Sequence, residues 1–272
     1  MVLGYSSMRS GTSVMSFIRL IARLDIKGPN VIKGIQMDGL RVVGPVAEVA
    51  KRYYDQGIDE VVMIDTVASL YGRDSMVALI KDVTAECFVP VTVGGGIRTL
   101  DDADALFRAG ADKVAVNTAA LANPKMISDI AHKYGNQAVV VNVEAKATPE
   151  LGWECYTEAG RQPSGIGVLD WVSRAEAAGA GEFLVTNVDR DGTRRGIDRA
   201  LLNHVRSAVT VPVIASSGAG SPEHVVATLA HTGCDGIAIG AALHWGNFLV
   251  AECRDVCLEA GIAVREVEPA ND

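Results

Sequence analysis

Five acids in this 272-residue chain end short apolar runs or fall just past them: Asp25, Asp65, Glu144, Asp189 and Asp191. The clearest is Glu144, which stops the nearly unbroken apolar stretch "VVVNVEAK" (139–146). Two carboxyls facing each other across a low-dielectric cup can share acid–base work, one abstracting a proton and the other donating one. That requires surroundings that hold their pKa values apart. Asp25 and Glu144 are the pair for that role. A second chemistry is written in glycine. "VGGGI", with Gly95 and Gly96, is followed by "VNTAA", with Asn117 and Thr118. "SSGAG", with Ser217 and Gly218, is followed by "AIGAA", with Gly240 and Ala241. Glycine lets backbone N–H groups close around a phosphate, and a following helix N-terminus adds partial positive charge. Two related clusters predict two phosphate sites and an elongated bisphosphate ligand.

Two further segments carry polar side chains toward the same place. "DRDGTRRG" (189–196) is either a turn with a cap or a set of contacts from Asp191, Gly192 and Thr193 over a binding site. "LDIKGPNVIKG" places Lys27 and Lys33 on a long loop, where Lys33 is either solvated or part of a lid over an anion.

The elements that must position these residues follow from periodicity. β-branched runs predict strands over 18–25, 60–65, 90–93, 113–116, 138–144, 183–188, 211–215 and 236–239. Stretches such as "PVAEVAKRYYDQ", "LDDADALFRAG" and "NPKMISDIAHKYG" show helical spacing between them. Strands alternating with helices, with both strand faces apolar, read as a parallel sheet covered on both sides. Eight such units predict a closed (β/α)8 TIM barrel whose strand carboxyl ends line the binding mouth. The second half repeats the first: Asp25 and Glu144 are 119 residues apart, Glu60 and Glu182 122, Gly95 and Ser217 122, and Asn117 and Gly240 123. Asp25 and Glu144 are therefore half-barrel counterparts. At the other end, Arg19, Glu60, Lys113 and Glu182 lie near the starts of the first, second, fourth and sixth strands. They form either a stability network or a charged plug on the barrel axis.

The remaining composition narrows the function classes. No apolar run approaches the ~18 residues of a membrane span. A net charge of −8 without a Lys/Arg cluster argues against nucleic acid and anionic membranes as partners. Five scattered cysteines read as idle thiols of a reducing cytosol, and the five histidines form no metal-ligand pattern. Residues 1–16, polar and rich in Gly and Ser with too short an apolar stretch for a signal peptide, are left outside a single barrel domain over 17–272.

Together these motifs resemble the cyclase subunit of imidazole glycerol phosphate synthase, of histidine biosynthesis. The resemblance runs from about Phe17 to Val267. It rests on "LDIK…VIKG", "IDEVVMIDTVAS", "VTVGGGI", "GADKVAVNTAA", "GNQAVVVNVEAK", "VTNVDRDGT" and "ASSGAG". It implies a cytoplasmic lyase without a cofactor, working in a heterodimer. A separate glutaminase, absent from this chain, docks on the N-terminal face of the barrel and sends ammonia through it to a linear ribulosyl bisphosphate. The products are imidazole glycerol phosphate and an aminoimidazole carboxamide ribonucleotide. Asp25 and Glu144 match the family's two acids, Lys33 its first-strand lysine, and Arg19, Glu60, Lys113 and Glu182 its ammonia gate. The departures lie at the mouth. Glu144 stands where the family has Asp, Arg23 where it has a small Cys, Val67 where Thr is usual, Ser217 for a Gly, and "DIKGPN" for an Asp-Gly turn. Arg23 should point the same way as Asp25, two residues on, and stabilise its carboxylate form. An intact gate beneath an altered mouth also fits a paralogue passing ammonia to another acceptor, such as a surface-polysaccharide sugar gaining an amidine. A non-catalytic barrel that regulates the glutaminase is a third reading.

Overall fold

The computed structural model describes residues 17–66 and 73–267. Eight parallel strands run around a closed cylinder: β1 (Arg19–Lys27), β2 (Glu60–Asp65), β3 (Val91–Gly94), β4 (Lys113–Val116), β5 (Val139–Thr148), β6 (Glu182–Asn187), β7 (Val213–Ser216) and β8 (Gly236–Ile239). Each pairs in parallel with its neighbours in sequence, and β8 pairs with β1. Helices return the chain over the outside, as in Val46–Asp55, Leu100–Ala109 and Pro222–Thr232. The helix after β3 shows how sequence sets such boundaries. Thr99 and Asp102 cap each other's backbone N–H groups, and Gly110 ends the helix in the left-handed region at φ 117°.

Strand parity decides what each side chain meets. Along β1, Leu20, Ala22, Leu24 and Ile26 face the helices and join the large outer core. Ile21 points into the barrel, and by the same alternation so do Arg19, Arg23 and Asp25. Along β5, Val139, Val141, Val143 and Ala145 face out, leaving Val140, Asn142 and Glu144 inside. The barrel interior is therefore layered. A dry belt of Ile21, Val62, Ala115, Val140, Leu184, Ile214 and Ala238 separates polar residues at the strand starts from polar residues at the strand ends.

The half-barrel repeat is visible in backbone geometry. Among the described residues, only β1 and β5 run on past the rim, each pairing with an antiparallel hairpin: Asn30–Ile35 with Asp38–Pro45, and Gly152–Thr157 with Gln162–Gly167. Asn117 and Gly240 share an unusual backbone, at (φ, ψ) of (−137°, −88°) and (−115°, −84°). Gly95 and Gly96 (φ 99° and 66°) repeat as Ser217 and Gly218 (φ 76° and 90°). One expectation is corrected here. Lys33 sits not on a loop but on the strand Asn30–Ile35, and it is buried, so the solvated reading falls away.

Candidate active site

The strand ends surround a cavity of about 490 Å³. Asp25 and Glu144 both line it and both are buried. Their surroundings differ in kind. Arg23 Nε donates to Asp25 Oδ1 at 3.0 Å, and Lys33 Nζ donates to Asp25 Oδ2 at 2.6 Å. Burial alone would push the Asp25 carboxyl up, but these two cations outweigh it and hold it well below the usual carboxylate range. Among the described residues, Glu144 has no cation in contact. Gly160 N–H donates to its Oε2 at 2.9 Å, and Asn142 Nδ2 lies 3.3 Å from its Oε1. Burial pushes its carboxyl up to about 7, against the pull of Arg23 and the Gly160 amide. The extra methylene of Glu has a local use: it carries the carboxyl out to the Gly160 amide on the hairpin that β5 feeds.

Arg23 reaches far from its own strand. Its Nη1 donates to Thr186 Oγ1 on β6 at 2.7 Å and to Ser216 Oγ on β7 at 2.9 Å. Its guanidinium lies wholly inside the barrel, one layer above the dry belt. Lys33 Nζ also bridges to Asp191 at 2.9 and 3.0 Å.

The two glycine clusters are not in the same state. Gly95, Gly96, Asn117 and Thr118 open onto the main cavity, with Arg98 and Arg161 beside them. Gly192, Ser217, Gly218, Gly240 and Ala241 surround a separate space of about 10 Å³, roofed by Lys33 and Asp191. That is room for one water at most. The hairpin after β1 rests directly on the loop after β6: Gln36 N–H donates to the Asp191 carbonyl at 2.7 Å, and a Cβ on Gly192 would lie 2.1 Å from the Gly34 carbonyl oxygen. Thr193 lines neither space, its hydroxyl donating to the Arg190 carbonyl at 2.8 Å, and Asp189 is exposed. Val67 lies outside the described residues.

At the opposite end the four charged residues close into a ring. Glu60 accepts from Arg19 and from Lys113, each at 2.8 Å; Glu182 accepts from Lys113 at 2.8 Å and from Arg19. Signs alternate around the ring, and both carboxylates are buried. Thr92 on β3 adds a hydroxyl to Glu60 at 2.9 Å.

A polar ring, a dry belt and an acid-lined mouth on one axis suit a barrel that conducts something small and neutral. The family model described as "Histidine biosynthesis protein" matches residues 19–249. The chain belongs to that family. Among its relatives, imidazole glycerol phosphate synthase subunit HisF of Legionella pneumophila is 54% identical over 209 residues, covering 77% of this chain and 99% of that protein. The HisF subunits of Streptococcus sanguinis and Myxococcus xanthus are each 43% identical, covering 91% and 92% of this chain and 98% of theirs.

Within the histidine biosynthesis family framework, several site residues were not foreseen from sequence: Asn142, Gly160, Thr186, Ser216, Arg161 and Thr92. Asn142 had a signal, being the one amide in an otherwise apolar strand. Asn142 Oδ1 and Asn117 Oδ1 are buried without a hydrogen-bond partner among the described residues. Open acceptors at a cavity wall suit a ligand bringing N–H donors. Among the described residues no cluster of His, Cys, Asp and Glu could hold a metal ion, and no helix is long and apolar enough to cross a membrane.

Proposed function

We propose that this barrel is the cyclase half of an imidazole glycerol phosphate synthase. It takes ammonia from a glutaminase subunit and adds it to a linear phosphoribulosyl-formimino carboxamide bisphosphate. Imidazole glycerol phosphate and an aminoimidazole carboxamide ribonucleotide leave. The observation that carries this reading is the axial order: a ring of Arg19, Glu60, Lys113 and Glu182, a belt without polar atoms from its side chains, then two buried carboxyls. The glutaminase docks at the ring end, where exposed Phe17 and Phe88 offer it apolar surface. The belt passes ammonia and resists ammonium, because a charge moved out of water pays a large desolvation cost. At the mouth, Gly95, Gly96, Asn117 and Thr118 hold one phosphate. The other enters the β7–β8 cluster when Lys33 leaves the Asp25–Asp191 bridge to meet it. Asp25 and Glu144 carry the acid–base work, in a cytoplasmic heterodimer that needs no cofactor.

The test mixes the purified chain with a cognate glutaminase, or with ammonium salt at high pH, and follows loss of the linear bisphosphate by absorbance. Turnover that falls by about 10²-fold or more in Glu144→Ala, the scale of a lost acid–base group, supports the reading. Absence of turnover in the wild type overturns it.

One observation favours a second reading, in which the same channel feeds a different acceptor. Arg23 and Lys33 occupy both oxygens of Asp25, and the β7–β8 cluster is closed. A mouth with one open carboxyl and one open phosphate site suits a smaller ligand, such as a sugar gaining an amidine. Glutaminase activation without bisphosphate turnover would select it.

A further inference from the structure

Arg23 stands where two spaces and one pathway meet. It lines the main cavity and also the closed space of the β7–β8 cluster. Its Nη1 bonds to Thr186 on β6 and to Ser216 on β7. β6 lies three strands from β1 around a cylinder of eight, so the side chain crosses most of the interior to reach it. The guanidinium therefore lies over the upper end of the dry belt, in the way of anything that leaves it. Of the five N–H groups of an arginine, three are used, and nothing among the described residues accepts from Nη2.

The charges in this corner balance. Arg23 and Lys33 meet Asp25 and Asp191, two cations against two carboxylates. A phosphate monoester brings nearly two negative charges and three acceptor oxygens, and a guanidinium fork can meet it through two N–H groups at once. Asp25 offers one charge, and Arg23 reaches it through Nε alone. A phosphate in the β7–β8 cluster thus competes for both cations. The move asked of Arg23 is short, because Ser216, to which it is already bonded, lines that space.

We propose that Arg23 is a substrate-binding residue whose resting place plugs the ammonia path: a phosphate entering the β7–β8 cluster draws the guanidinium off Asp25, which opens the path and frees Asp25 for acid–base work. This inference rests on the cyclase reading of the mouth. Without bisphosphate the exit from the belt is covered, and with it the exit opens beside the reacting carbon. Asp25, left next to a dianion without its two cations, takes up a proton from solvent. The other charges facing this corner are Glu144 from β5, Asp65 and Arg98 beyond β2 and β3, Glu158 and Arg161 on the β5 hairpin, and His244 close to Lys33.

The experiment has two arms on the full chain. In the first, inorganic phosphate is titrated in while NMR follows the Arg23 Nε–H and the ¹³C-labelled Asp25 carboxyl, assigned through Arg23→Lys and Asp25→Asn. The expected result is a phosphate-dependent shift of the Arg23 signal. The Asp25 carboxyl, flat above about pH 4 in the free protein, gains a titration step there once phosphate is bound. Thr118→Glu, which spoils the other phosphate site, keeps both changes, and Ala241→Asp, which puts a carboxylate in the β7–β8 cluster, abolishes them. Phosphate that leaves either signal unmoved, or moves both equally in Ala241→Asp, overturns the proposal. In the second arm the chain is paired with a cognate glutaminase and given ¹⁵N-amide glutamine, unlabelled ammonium and scarce bisphosphate. The wild type fills its product with glutamine nitrogen. Arg23→Ala, and Thr186→Val with Ser216→Ala, in which Arg23 is kept but untied, take up severalfold more unlabelled nitrogen, because ammonia escapes before a bisphosphate arrives. Equal labelling in all three overturns the proposal. Should Arg23→Ala fail to fold, the untied double variant still decides. A wild type without turnover removes the cyclase reading, and the first arm still reads the movement of Arg23.

Discussion

At the mouth Glu144 is held without a contacting cation among the described residues, where its counterpart Asp25 has two. A carboxyl raised from 4.5 to about 7 in the folded chain has a consequence away from catalysis. The folded state keeps a proton that the unfolded chain gives up, so stability falls as pH rises from about 4.5 to about 7 and stays reduced above that. Glu144→Gln keeps the shape of the protonated acid and escapes this loss. It should melt close to the wild type at pH 5 and well above it at pH 9, by on the order of 3 kcal/mol. Calorimetry at the two pH values checks this; a gap of the same size at both would contradict it. The placement of Arg23 inward with Asp25 was legible in the sequence, because the two share strand parity. Its bonds to Thr186 and Ser216 were not, since they depend on which strands a long side chain can span across a closed barrel.

At the scale of elements, most of the barrel could be read from periodicity because its strands are short, β-branched and buried on both faces. β2, β4 and β8 lie where the pattern placed them, at Glu60–Asp65, Lys113–Val116 and Gly236–Ile239. The hairpins after β1 and β5 were missed for a physical reason. The first turns at Gln36 and Met37, both with positive φ (53° and 63°), and the second at Glu158 and Ala159 (52° and 55°). Such turns usually announce themselves with Asn-Gly or Asp-Gly, and these do not. Another non-glycine, Ser217, takes φ 76° in the β7 phosphate loop and recovers part of that strain by donating its hydroxyl to the Asn187 carbonyl at 2.8 Å. Left-handed backbone costs about 1–2 kcal/mol for a residue with a Cβ, and a hydrogen bond returns about 1 kcal/mol. Ser217→Ala should therefore lose about 1 kcal/mol, keeping the strain without the bond. Ser217→Gly should lie within about 0.5 kcal/mol of the wild type, giving up both. Urea unfolding of the three proteins checks the order, and an alanine variant as stable as the glycine variant would contradict it.

At the scale of the molecule, the ring, the belt and the mouth lie on one axis, and the function depends on their connection. If the ring admits ammonia from the partner, weakening it should separate two activities that a fault at the mouth would lower together. Lys113→Met removes one of the two cations shared by Glu60 and Glu182. It should leave turnover with free ammonium within about threefold and lower glutamine-driven turnover by about tenfold or more, tenfold being ~1.4 kcal/mol of barrier. The ring residues themselves were legible as charges of alternating sign at strand starts. Their closure into a circuit was not, because it needs β1, β2, β4 and β6 brought around the same cylinder. The most direct measurement of the whole reading is the stoichiometry of the assembled pair: glutamine hydrolysed against linear bisphosphate consumed, with released ammonia trapped and counted in the same vessel. A barrel that conducts ammonia to its mouth predicts one bisphosphate consumed per glutamine and little ammonia in the trap. Glutamine hydrolysis that appears as trapped ammonia while the bisphosphate persists would contradict it.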